Sequence, residues 1–394
     1  MVIGRLVRGS LAPFCAAAAI FAGVSSALMG TCGPFTDTAA DTFCPFVLQI
    51  FYMGITTGTT ATTYEPSGNV TRLQMSAFLS RTVDRVLRRA NRNAALQHFW
   101  TPSDAGGLGV TTLFGSLFFC AADGADIWVS GNTPALLSRV RASDGRLLET
   151  TTGFAGGPGE PLAALGRILV PALPTHLYSV DPTQVLASPP AILASNLGNF
   201  PVLAAFDGVH VWTANQGSTP GTGSMSILTP GPVLPWSATT VTVGFSNPGG
   251  ALFDGTSMWS VDFTLGTLLK LDSSGGILLT ITVGSKPNFP VFDGTNIWVP
   301  NRLSNSVTVV RASSGAVLLT LTGNGLNSPV HAAFDGERVL VTNKDGNVVS
   351  LWKGADLSAI NFSQTGANTA PFGACSDGVN FWIVLSSVSQ LARF

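Results

Sequence analysis

The feature that most constrains this chain is a repeat. Seven glycines, Gly124, Gly166, Gly208, Gly255, Gly294, Gly336 and Gly378, occupy equivalent places, and the steps between them are 42, 42, 47, 39, 42 and 42 residues. Most of them sit in one phrase, as in "FDGVHVWTAN" from Phe206, "FDGTSMWSVD" from Phe253, "FDGTNIWVPN" from Phe292 and "FDGERVLVTN" from Phe334. A period of about 40–45 residues is one four-stranded propeller blade. Seven anchors therefore predict an all-β, seven-bladed propeller over residues 101–394.

One unit displays the strand plan. "PNFPVF" leads into a turn at Asp293-Gly294, and "TNIWVP" is the second strand. "NSVTVVRA" is the third, and "VLLTLTG" follows the turn "SSGA" as the fourth. Each run is short, rich in β-branched residues and bounded by Gly, Asn or Ser, as strands require. The ends of the chain fit a closed ring. After Gly378 too few residues remain for a fourth strand, whereas "GVTTLF" (Gly109 to Phe114) is spare before the first anchor. Pairing Val110–Phe114 with the last strand would close the circle. Cys120 and Cys375 then fall on inner strands of neighbouring blades, either as a disulfide or as two buried thiols, depending on whether their Cα atoms come within about 7 Å. The second unit departs from the plan, with Leu165-Gly166-Arg167 in place of the acidic turn, and the third carries an insertion near "TPGPVLPWSA".

"IWVPNRLSNSVTVVRASSGAVLLTLTG" (Ile297 to Gly323), "VWTANQGS" and "VLVTNKDGNVVSL" resemble YVTN-type and NHL-type propellers of secreted bacterial proteins. That resemblance implies the architecture and is nearly silent on activity, because propellers host lyases, lactonases and pure binding proteins.

Ahead of the repeat, "MVIGRLVRGSLAPFCAAAAIFAGVSSALMG" reads as an export signal. It has Arg5 and Arg8, an apolar run from Leu11 to Val24, and small residues to Ala27 where cleavage is expected. The apolar run is short for a membrane span, which needs about 20 residues, and no later stretch suits one. Residues 1–27 are thus read as a signal peptide, and the mature chain as secreted, periplasmic or surface-associated. Export favours disulfides, and Cys32 and Cys44 would close a short loop.

Residues 28–100 then read as a helical module. Asp41 or Thr42 caps a helix bearing Phe43, Val47, Ile50 and Phe51, and Thr71 caps a second bearing Met75, Phe78 and Leu79 at helical spacing. Phe35-Thr36-Asp37, "GITTGTTATTYEP" and "VTRLQMSAFLSR" resemble one S-layer homology unit. The resemblance implies attachment to anionic cell-wall polysaccharide, with Thr71 and Arg72 as the motif positions. Arg81, Arg85, Arg88, Arg89 and Arg92 form a basic stripe, read as a solvated helix face.

Catalytic signals are sparse. Of four histidines, His331 alone lies on an inner strand, and the equivalent places hold Phe289, Leu203, Phe119 and Gly250, an apolar lining. Some lyases of similar fold use paired channel histidines with a carboxylate and a divalent metal, a set that does not assemble from this sequence. The recurring aspartates Asp123, Asp207, Asp254, Asp293, Asp335 and Asp377 precede glycine and read as turn chemistry. Trp128, Trp212, Trp259, Trp298 and Trp382 share one place in the second strand and read as packing between blades. Asn215, Asn301 and Asn343 read as turn residues.

Only 10% of residues are charged and the net charge is −1, which excludes the basic balance of a nucleic-acid binder. No cofactor or metal is expected. The resulting expectation is an envelope binding scaffold whose partner is cell-wall polysaccharide or another envelope protein, with Arg302, Asn305 and Lys344 as the loop residues that meet it. The competing class is a propeller enzyme of lyase or lactonase type.

Overall fold

The computed structural model describes residues 34–38, 44–52, 55–89, 109–184 and 189–394. The chain divides into two compact units, Met1–Phe99 and Trp100–Phe394. The expected leader, Cys32 with its pairing to Cys44, the linker from His98, and the side chains of Arg85, Arg88, Arg89 and Arg92 lie outside the described residues.

In the first unit a helix over Cys44–Tyr52 (α1) turns Val47, Leu48 and Phe51 toward Phe35, whose ring meets Phe51 edge-on at 5.1 Å. Asp37 accepts the backbone N–H groups of Tyr64 and Glu65 at 2.7–3.0 Å, and these bonds hold its carboxyl below the usual range. A second helix, Arg72–Arg89 (α2), begins at a capping box. The Thr71 N–H donates to Gln74 Oε1 at 2.8 Å, and the Gln74 N–H donates back to Thr71 Oγ1 at 3.2 Å. Met75 and Leu79, expected on an apolar face, are exposed. Arg81 does not simply stand in solvent, because its guanidinium donates to the Ile55 carbonyl at 3.1 Å. Among the described residues no helix is long and apolar enough to cross a membrane.

The second unit is built of seven four-stranded antiparallel sheets, each a blade. Six are formed by consecutive strands. The seventh combines the last three strands of the chain with Gly109–Thr112, which pairs antiparallel with Gln390–Arg393 in the register Val110↔Ala392 and Thr111↔Leu391. The spare N-terminal strand thus closes the ring, as expected. Cys120 and Cys375 sit on the inner strands of blades 1 and 7 and form a disulfide, with Cα atoms 5.8 Å apart and a sequence separation of 255. At the same seam Gly373 lies so close to blade 1 that a Cβ would strike the Phe118 carbonyl and the Phe119 Cα.

Each blade buries one face of its second strand against the next blade. Trp128 of blade 1 packs on Ile168, Val170 and Tyr178 of blade 2. Trp259 of blade 4 packs on Ile297, Val299 and Val310 of blade 5, and Trp298 on Val339, Val341 and Trp352 of blade 6. Trp382 of blade 7 meets Ile127, Val129 and Val140 of blade 1, which completes the circle. All four indoles are fully buried. The expected packing role holds.

Two blades depart from the plan. In blade 2 Ala164 pairs with Arg167, so Leu165 (φ 56°) and Gly166 (φ 69°) form a two-residue hairpin loop with both residues left-handed. In blade 5 the inner strand shrinks to Val291–Phe292. Pro287 and Pro290 have no N–H to give a ladder; between them Asn288 still donates to the Pro300 carbonyl of its own blade, while Phe289 bonds sideways. The Phe289 N–H donates to the Val330 carbonyl, and the Ala332 N–H to the Phe289 carbonyl, both in blade 6.

Candidate functional site: the loop face and the axial collar

The blades have two ends. The Asp–Gly turns and the hairpins between third and fourth strands gather at one, the turn face. The loops between second and third strands and those joining successive blades gather at the other, the loop face. The turn face repeats itself closely. In five blades the turn aspartate accepts two backbone N–H bonds on Oδ1 and the indole N–H of the tryptophan five residues on at Oδ2. Those indole bonds are 2.8 Å for Trp128, 2.7 Å for Trp212, 2.8 Å for Trp259, 2.6 Å for Trp298 and 2.9 Å for Trp382. In blade 6, where Leu340 stands in the tryptophan's place, the Arg338 guanidinium takes over Asp335 Oδ2 at 2.8 Å. In blade 2 both partners are replaced together, by Leu165 and Val170. The aspartate and the tryptophan are therefore one unit, a link that reading them separately missed; their fixed spacing and joint loss in blade 2 were the available signals.

Asn215, Asn301 and Asn343 are not surface turn residues. They are fully buried and tie the end of the second strand to the third. The Asn301 amide donates to Ser306 and Thr308 hydroxyls, and its oxygen accepts the Gly284 N–H at 2.9 Å.

At the loop face one backbone pair recurs. The residue nine after the turn aspartate donates its N–H to the carbonyl of the residue seven before it: Gln216 to Phe200, Phe263 to Asn247, Arg302 to Lys286 and Lys344 to Ser328, at 2.9–3.0 Å. The backbone is constant here and the side chains are not. Phe200, Lys286, Ser328 and Ala370 are all left-handed there, at φ 59°, 53°, 57° and 45°, a conformation that costs a non-glycine residue roughly 1–2 kcal/mol.

The three expected loop residues converge on Ser328. Arg302 Nε donates to Ser328 Oγ at 3.0 Å, the Ser328 N–H donates to Asn305 Oδ1 at 2.7 Å, and the Lys344 N–H donates to the Ser328 carbonyl at 3.0 Å. Asn305 is thereby spent on an inter-blade tie, as Asn347 is on the Ala370 N–H at 2.9 Å. Lys344 Nζ stands 5.9 Å from the centre of the Phe372 ring, and Lys286 Nζ 5.3 Å from that of Phe263. Beside Lys286 an open groove of about 680 Å³ lies at the loop end of blade 4, lined by Asn247, Phe263, Thr264, Thr282 and Ser285 among others.

The axis is filled rather than hollow at its middle. Phe119, Leu203, Phe289 and Val330 form a buried cluster with Phe118, Val202 and Phe372 around it, and Phe119 meets Phe289 edge-on at 4.9 Å. His331 belongs to this collar but is not a solitary ring. Nε2 lies 3.1 Å from Glu160 Oε2 and Nδ1 3.1 Å from the Ala332 carbonyl. Glu160 comes from blade 2 and His331 from blade 6, so the contact spans the axis. With Nδ1 donating to the carbonyl, the Glu160 contact needs a proton between its two partners. Glu160 was missed because nothing in the sequence marks a carboxylate 171 residues away as facing His331. His210 Nδ1 lies 3.5 Å from Asp207 Oδ2, and His176 stacks on Tyr178. His98 lies outside the described residues. Among the described residues no three His, Cys, Asp or Glu side chains cluster as a metal site would require.

These features define the class, a seven-bladed β-propeller with four-stranded blades and a filled axis. No family model and no curated protein sequence matches the chain. Solved structures of similar shape include a catalytically inactive virginiamycin B lyase from Staphylococcus aureus with quinupristin, at TM-score 0.60 and 12% identity, covering 73% of this chain and 98% of that one. A streptogramin B lyase is similar at TM-score 0.58 and 13% identity, covering 73% of this chain and 96% of that one. So is the WD40 propeller domain of Doa1, at TM-score 0.58 and 13% identity with the same coverage. At these identities the likeness is one of fold, shared by enzymes and a WD40 domain alike.

Proposed function

We propose that this chain is an exported envelope protein in which the propeller is a binding scaffold and the N-terminal S-layer-homology-like unit attaches it to the cell surface. The observation that carries the reading is the division between repeated and varied positions. The turn-face polar groups and the buried asparagines bond to one another, the collar fills the axis, and the side chains that differ from blade to blade gather at the loop face. A scaffold needs such a surface on a rigid frame. Attachment rests on Thr71 and Arg72, exposed where α2 begins.

The test is co-sedimentation of the full mature chain with cell-wall fractions, alongside Arg72→Ala and a loop-face variant, Arg302→Ala/Lys344→Ala. Loss of wall binding with Arg72→Ala assigns attachment to the N-terminal unit; undiminished binding removes that assignment. Loss of a co-purified soluble partner with the loop-face variant supports the scaffold.

A second reading, a propeller enzyme of lyase or lactonase type, draws its support from the His331–Glu160 pair on the axis. Turnover of a lactone or cyclic depsipeptide that disappears with His331→Phe would establish it in place of the scaffold.

A further inference from the structure

Three arginines at the turn face are neutralised: Arg139 reaches Asp126 at 2.6 Å and Glu149 at 3.3 Å, Arg338 reaches Asp335 at 2.8 Å, and Arg141 reaches Asp144 at 3.2 Å. Lys270 and Arg393 there each meet a backbone carbonyl and a tryptophan ring instead. At the loop face Lys286, Arg302 and Lys344 stand on a continuous arc where blades 4, 5 and 6 meet. Their side-chain contacts are the Phe263 ring, the Ser328 hydroxyl and the Phe372 ring. Among the described residues none of the three is paired with a carboxylate. The nearby Asp262 forms no ion pair with them: it is fully buried, and its two oxygens accept the N–H groups of Ser246, Asn247, Thr264 and Leu265 at 2.7–3.1 Å.

Two further features shape this arc. Lys286 is held left-handed at φ 53°, which fixes where its side chain leaves the backbone. The groove beside it is lined by Asn247, Phe263, Thr264, Thr282 and Ser285 among others, and the Asn247 amide donates to the Gln216 carbonyl at 2.8 Å. Spaced cations next to a groove lined by polar and aromatic residues suit an extended ligand bearing repeated negative charges rather than a small compact anion, which one guanidinium would hold.

We infer that the loop face of blades 4 to 6 binds an extended polyanion, its carboxylate or phosphate groups lying on Lys286, Arg302 and Lys344 and its neutral portion in the groove beside Phe263. This rests on the scaffold reading above and names the ligand class of that surface. Such binding is electrostatic and exposed, so it weakens as salt is raised.

The test uses the full mature chain and three labelled polymers: polygalacturonate for carboxylates, polyphosphate for phosphates, and neutral dextran. Binding is followed by fluorescence anisotropy at low and high salt. At least one polyanion should bind, dextran should not, and Lys286→Gln/Arg302→Gln/Lys344→Gln should weaken that binding by about tenfold, from three charge contacts together. Arg141→Gln, on the opposite face, should leave it unchanged. Thermal melts of each variant are recorded first, and Lys286→Gln alone, the change at the exposed member of the three, should produce a partial loss if the triple variant unfolds. Equal binding of dextran, equal binding by the triple variant, or no binding of either polyanion overturns the inference. A soluble partner captured by the unaltered chain and lost with Arg302→Ala/Lys344→Ala, while both polyanions fail to bind, overturns it and leaves the scaffold reading standing.

Discussion

An aspartate that closes a tight turn has two oxygens to satisfy, and the backbone of the turn satisfies only one of them well. In five blades of this propeller the second oxygen is given to the indole of the neighbouring strand, and in blade 6 to a guanidinium, so the turn residue needs a donor from the strand beside it. Trp259→Phe keeps most of the buried ring but removes the donor to Asp254 Oδ2, 2.8 Å away. An acceptor left unsatisfied near the core costs roughly 1–3 kcal/mol, and urea unfolding of this variant should show a loss of that size. The same bonds set the acid response. At Asp254 burial pushes the carboxyl up, but the Trp259 indole, the Thr256 hydroxyl and the N–H groups of Ser257 and Thr256 outweigh it and hold it below the usual range. Asp207 behaves alike: burial opposes the His210 N–H, the Trp212 indole and the Val209 N–H, which prevail. A carboxyl depressed in the folded state stabilises the fold above its unfolded value of about 3.9, and that contribution is lost as pH falls through the lower folded value. Stability followed by tryptophan fluorescence should therefore decline below about pH 4, and Asp254→Asn should flatten that decline while lowering stability at neutral pH.

At the scale of elements the seam between blades 1 and 7 is where the ring is made. Six blades are hairpin-connected and form from neighbours in sequence; the seventh needs Gly109–Thr112 to meet Gln390–Arg393 across the whole domain. The Cys120–Cys375 bond closes a loop of 255 residues at the same seam. In a chain-entropy account a bond across so long a loop contributes about 2–5 kcal/mol. Reduction, or Cys120→Ser/Cys375→Ser, should lower the melting temperature clearly while leaving the circular dichroism spectrum at low temperature unchanged. Thr111→Pro attacks the other half of the closure by removing an N–H from the pairing strand. Combined with loss of the disulfide it should cost more than the sum of the two, because each alone leaves the other to hold the ring. A strictly additive result would show that the two act separately.

Over the whole molecule a polar contact crosses the axis and joins blade 2 to blade 6 through Glu160 and His331. His331 is nearly inaccessible, whereas Glu160 retains some access to solvent, with side-chain exposures of 6% and 21%. Glu160→Leu leaves an imidazole nitrogen without a partner inside an apolar collar. His331→Phe instead leaves a carboxylate that reaches water and adds a ring to Phe119 and Phe289. The first should therefore destabilise more than the second, and the double variant less than their sum, with a coupling of about 0.5–3 kcal/mol in chemical denaturation. Independent effects would mean that the pair does not brace the ring.

What the sequence determined by itself is whatever repeats locally. The spacing of Gly124 through Gly378 set the number of blades, because a strand pattern of fixed length must bury its faces against copies of itself. The unfinished last unit and the spare Gly109–Phe114 segment set how the ring closes. Thr71 marked the start of α2, because a cap acts within one turn. What only the tertiary structure decided is whatever depends on positions far apart in the chain. Glu160 meets His331 only because the ring brings blades 2 and 6 to one axis. The Cys120–Cys375 bond forms only because the seam places their backbones within reach. Arg302, Asn305 and Lys344 share Ser328 because two blades pack at a fixed angle. A single repeat holds no record of such neighbours, since they are created by curvature, and it is at those non-local positions that the copies cease to be equivalent and a binding face arises.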